Sequence, residues 1–137
     1  MSSREVRLFQ AAVFIASAIP IAAGAAGVLR GPAMIRGFIS PNADLDSHFS
    51  YLSGLLLGIG VAFPICAAKI RERSQSFRML GLIVVTGGIA RLVAASRLGL
   101  PSAPHQFAYV MELAVVPMLL VWHRRVERLV AGERLSD

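Results

Sequence analysis

The sequence predicts an all-α fold, an integral membrane four-helix bundle with antiparallel, up-down helices. Two observations carry that prediction. Of 137 residues, 55% are apolar and 16% charged, with a mean hydropathy of +0.64. A soluble domain carries about 25% charged residues, and a fold this small cannot hide so much apolar surface. The apolar residues also gather into four runs close to the roughly 20 residues that cross a bilayer core of about 30 Å. None of the runs alternates with period two, which argues against a barrel. In hydrocarbon each segment must satisfy its own backbone hydrogen bonds, so the runs are helices. Disorder is excluded by the same composition.

The first helix is expected over about 8–29, from Leu8 to Leu29, with Gln10 and Ser17 as its polar interruptions. Ala16-Ser17-Ala18 offers a signal-peptide cleavage pattern, but the apolar run continues past it, longer than a signal core. The second helix is expected over 49–68. Its Ser50, Gly54, Gly58 and Ala62 recur every four residues, a small-residue stripe for close packing inside the bundle or against another subunit. The third is expected over 79–96, interrupted by Arg91, with Gly87 and Gly88 one turn before it to let the fourth helix approach. The fourth is expected over 105–122, reaching full length if Pro104, His105 and Gln106 open it. Pro64 and Pro117 are expected to kink their helices. Cys66 has no partner thiol, which excludes a disulfide framework and any multi-cysteine metal site within the chain.

His48-Phe49-Ser50-Tyr51 opens the second run and His105-Gln106-Phe107-Ala108-Tyr109 the fourth, and each run contains a proline. Two repeated helical hairpins would produce this echo; equally, helix starts at one membrane face resemble each other. The basic residues are distributed unevenly. Arg4, Arg7, Lys69, Arg71, Arg73, Arg78, Arg124, Arg125, Arg128 and Arg134 fall on one side, against Arg30, Arg36 and Arg97 on the other. Positive loops stay inside, so both termini are expected in the cytoplasm. The net charge of +6 then frames the spans and meets anionic lipid head groups. A nucleic-acid partner is not expected, because no basic stripe interleaved with aromatics lies on a soluble face.

Arg91 and Glu112 are the candidate functional centre. On consecutive antiparallel helices both fall about 8 Å below the outer boundary, and each alone would be costly in hydrocarbon. They are expected to pair, either as a helix–helix clasp or as the floor of an outward-opening polar pocket. His48 and His105 stand at the mouths of their helices. His105, Tyr109 and Glu112 share one helical face. Asp44 and Asp46 near His48 raise a metal or proton-shuttle reading, but established metal-site spacings are absent, and no metal or cofactor is expected. No phosphate loop, dinucleotide fingerprint or catalytic triad is present.

The stretches His48-Phe49-Ser50-Tyr51-Leu52-Ser53-Gly54, Gly87-Gly88-Ile89-Ala90-Arg91, Gly99-Leu100-Pro101 and Glu112 through Pro117 resemble a family of small bacterial membrane proteins, domain of unknown function 4345. The resemblance runs from the first helix to Arg125 and implies four membrane helices. In helix number and size the chain also looks like the DoxX group, some of whose members accompany quinone-linked oxidoreductases. The expected role is binding or assembly in the bacterial inner membrane, as an accessory subunit or a lipid or small-ligand binder. Its partners would be membrane lipids and other membrane-protein subunits. The alternative is a small membrane enzyme, or a DoxX-like partner of a redox complex, working through Glu112 and Arg91.

Overall fold

The structure, a computed structural model, describes residues 2–35 and 42–133; Arg36 and Arg134, counted above for orientation, lie outside the described residues. The described residues are almost entirely helical, without a strand: α1 Ser2–Arg30, α2 Ala43–Ala68, α3 Ile70–Leu98, α4 Ala103–Val110 and α5 Val116–Glu133. A 3₁₀ turn, Gly31–Met34, follows α1, and a π-helical turn, Met111–Val115, joins α4 to α5 in one continuous fourth helix. The fold is an all-α four-helix bundle of long apolar helices. All four are long and apolar enough to cross a membrane.

Each helix is longer than the apolar run inside it, because hydropathy marks the part that prefers lipid whereas capping and local hydrogen bonds mark the ends. At the start of α2 the Asn42 side-chain oxygen accepts hydrogen bonds from the backbone N–H of Asp44 at 2.9 Å and Leu45 at 3.2 Å. Asp44 and Asp46 in that first turn favour its positive end. α3 begins at Ile70, directly after Lys69, and has non-helical backbone at Arg73 (φ −116°, ψ 22°). It closes at Gly99, whose φ of +87° suits only glycine and whose N–H bonds the Ala95 carbonyl at 2.8 Å.

The chain forms two compact units, Ala11–Ile65 and the remainder. In the first, α1 and α2 touch backbone to backbone. A Cβ at Gly24 would lie 2.6 Å from the Leu57 nitrogen and 2.8 Å from the Ser53 carbonyl oxygen; one at Gly60 would lie 2.9 Å from Ile21. Gly27 faces the Ser53 hydroxyl, which bonds back to the Phe49 carbonyl at 2.8 Å. The face of α2 that packs is therefore Ser53, Leu57 and Gly60. Gly54 and Gly58, expected to be the packing stripe, look into open space, as does Gly87. One residue rotates a helix by about 100°, so a repeat of small residues does not say which face finds a neighbour.

The second unit joins the first turns of α1 to α3, α4 and α5. Its centre is an aromatic cluster in which Phe9, Phe77 and His123 are fully buried. Phe77 and His123 stack at 4.6 Å, and Phe9 lies 5.5 Å from Phe77, 5.6 Å from Trp122 and 5.9 Å from His123. Around it, Gln10 donates to the Ala67 carbonyl at 3.0 Å and Arg125 meets Glu5 at 2.7 Å. Ser74 donates to Glu127 at 2.6 Å. Each unit exposes apolar side chains, Ile15 and Leu29 in the first and Leu98 and Met118 in the second, all more than two-thirds exposed, the arrangement of a surface solvated by lipid rather than water.

Gly24→Ala should lower stability in detergent by about 1–3 kcal/mol, because its new methyl meets backbone that cannot yield. Gly54→Ala should be neutral or stabilising, by up to about 1 kcal/mol through helix propensity. Denaturant titration monitored by circular dichroism checks both; equal losses would contradict the packing face.

Candidate functional site

α3 and the fourth helix meet along a seam of small residues. A Cβ at Gly88 would lie 2.8 Å from Leu113 and 3.0 Å from the Glu112 Cβ; one at Gly81 would sit within 3 Å of Leu120. Ser74, seven positions before Gly81, takes Glu127, seven beyond Leu120. This seven-residue spacing keeps two antiparallel helices in register, and the small side chains let their backbones approach. Gly88, one of the two glycines expected to act this way, does so.

The close approach at Gly88 brings Arg91 to Glu112. Arg91 Nε lies 3.2 Å from Glu112 Oε2, with the arginine side chain 39% exposed and the glutamate 15%. The pair is within Coulombic contact, yet no N–H is directed at that oxygen, and Glu112 Oε2 is buried without a hydrogen bond. Tyr109 completes the cluster, its hydroxyl donating to the Arg91 carbonyl at 3.2 Å. Glu112 stands on the π-helical turn Met111–Val115, where the Val116 N–H reaches back to the Met111 carbonyl. Pro117 follows directly. It has no N–H to offer the Leu113 carbonyl, and its ring crowds that oxygen, so a widened turn relieves both problems.

The structure thus brings Arg91, Glu112 and Tyr109 together. His105 is exposed two turns before Glu112, with its Nδ1 3.2 Å from the Ser102 hydroxyl at the start of α4. His48 belongs to the other unit, exposed in the second turn of α2. Among the described residues no three His, Cys, Asp or Glu side chains cluster as a metal would require.

Sequence reasoning missed His123. It stands at the head of the basic stretch from His123 to Arg128, yet it is fully buried with neither ring nitrogen hydrogen-bonded. Leaving such a group unsatisfied costs about 1–3 kcal/mol, offset in part by about 0.5–1.5 kcal/mol from its ring partners. The available signal was aromatic company, Trp122 beside it in the chain and Phe9 at the matching level of α1.

Arg91→Met and Glu112→Gln should each destabilise the protein. The double variant should recover part of the loss, with a coupling energy of about 1 kcal/mol from a double-mutant cycle in detergent. Strict additivity would mean that the two charges do not hold each other.

No curated protein and no solved structure matches the chain significantly. One family model, described as "Domain of unknown function (DUF4345)", matches residues 8–123. That span begins with the first apolar run and ends at the buried His123, so it contains the glycine seam and the Arg91–Glu112 pair. A match over most of the sequence places the protein: it belongs to the DUF4345 family.

Proposed function

We propose that this membrane protein has a binding or assembly role in the bacterial inner membrane, with both termini in the cytoplasm and the Arg91–Glu112–Tyr109 cluster as its ligand site. The observation that carries the reading is the state of Glu112. A carboxylate placed only to clasp two helices would have a guanidinium N–H aimed at it, since aligned charge-assisted bonds recover the most energy in a low-dielectric setting. Glu112 Oε2 instead lies beside the guanidinium and accepts nothing. A hydroxyl or amide donor on a small amphiphile would meet the part of the carboxylate that remains accessible, the Glu112 side chain being 15% exposed, while Arg91, about two-fifths exposed, offers further N–H groups to the same ligand. The π-helical turn adds support, since such turns recur at functional positions. Lipid is the expected surrounding partner of the apolar exterior. The exposed glycines Gly54, Gly58 and Gly87 favour a second reading, contact with another membrane subunit, because they leave helix backbones open to close approach.

Extraction into native-membrane polymer discs followed by mass spectrometry tests the site. The wild-type chain should carry an amphiphile that is depleted at least severalfold from the Arg91→Met/Glu112→Leu variant and retained by Gly54→Ala. Identical contents in all three would overturn the proposal. Orientation is tested separately by cysteine labelling in a Cys66→Ser background. Ser102→Cys should react with an impermeant maleimide in spheroplasts, and Glu72→Cys only after permeabilisation; the reverse pattern would invert the topology.

A further inference from the structure

We infer that a groove between α3 and α5, at the basic end of these helices, binds the phosphate head group of an anionic phospholipid. The groove has a volume of about 210 Å³ and is lined by Gln75, Arg78, Met79, Leu82, Leu120 and Arg124. Its polar and apolar parts are segregated: two guanidiniums and an amide at one end, three aliphatic or thioether side chains along the floor. Gly81 creates the floor by letting Leu120 lie against α3.

Charge and position select the occupant. Arg78 is held 3.4 Å from Glu127, whose other oxygen is taken by Ser74 at 2.6 Å. Arg78 is thereby oriented while part of its charge is spent. Arg124, exposed on α5, has no ion-pair or hydrogen-bond partner among the described residues. One uncompensated positive charge and spare N–H donors match a single phosphodiester. A zwitterionic head group would bring an ammonium into a groove whose nearby carboxylate is already engaged on both oxygens. The volume is below the roughly 300–1,000 Å³ of a drug-sized ligand site, and it suits a phosphate with the first methylenes of its chains. Beyond the groove the chains would continue over Leu82 and Ile83, both more than half exposed. The level is that of a head group, because Met79 opens the third apolar run and Trp122 closes the fourth.

Native mass spectrometry of the full chain in detergent tests this inference, with dioleoyl phosphatidylglycerol and dioleoyl phosphatidylcholine as probes. One saturable phosphatidylglycerol adduct is expected, favoured about fivefold or more over phosphatidylcholine, the effect of one basic charge near a membrane surface. Arg124→Gln should weaken it about fivefold. Met79→Trp, which fills the groove without changing charge, should weaken it severalfold as well. Arg128→Gln, on a side chain outside the groove, should leave it unchanged, and matching helicity by circular dichroism keeps the variants comparable. Equal affinity for the two lipids would overturn the inference. So would an Arg128→Gln loss as large as that of Arg124→Gln, or displacement of the lipid by millimolar inorganic phosphate, which would make the groove a site for soluble anions.

Discussion

Apolar helices gain nothing from burying themselves against one another when the solvent is itself hydrocarbon, so contact has to come from closeness. In the larger compact unit that closeness is supplied by Ser74, Gly81 and Gly88, spaced seven apart on α3 and receiving Glu127, Leu120 and Leu113 from the fourth helix. The other features of α3 and its partner depend on this seam. At its far end it brings a guanidinium to a carboxylate; in the middle it leaves a groove beside Leu120; at the near end it encloses the Phe77–His123 stack. A side chain at Gly88 would press on Leu113 and Glu112 together, so packing and charge placement at that level are one constraint.

The Arg91–Glu112 pair shows how a membrane fold tolerates charge. An isolated ion at mid-span costs about 2.5–3.5 kcal/mol on insertion scales, and mutual attraction reduces that cost. Full compensation would also require aligned hydrogen bonds, which this geometry withholds from Glu112 Oε2. The π turn beneath it bears on this: widening the helix before Pro117 sets the orientation from which Glu112 projects. A proline five residues downstream thus influences which way an acidic side chain meets its partner.

Much of this architecture was legible in the sequence, and the failures have specific causes. Four long apolar runs on a lightly charged chain leave few alternatives to four membrane helices. Arg91 and Glu112 could be matched because depth in an antiparallel pair follows from counting residues. Helix ends were less legible: Asn42 caps α2 through two side-chain hydrogen bonds, a local event that hydropathy does not register. Small-residue stripes showed where backbones could approach, without showing which face had a neighbour. Gly88 packs while adjacent Gly87 does not, and Gly60 packs while Gly54 and Gly58 do not. His123 stands among charged neighbours in the chain, although its surroundings are set by Phe9 and Phe77, far from it in sequence.

Phe9 also bears on how the molecule is made. Its ring partners Trp122 and His123 lie more than one hundred residues further along the chain and are synthesised long after it. Glu5 likewise waits for Arg125. Contacts of such long sequence separation close late, after the intervening chain has been ordered. The opening turns of α1 can meet Ala67 and Phe77 once α2 and α3 have been made, but the aromatic cluster closes only after the final helix has followed.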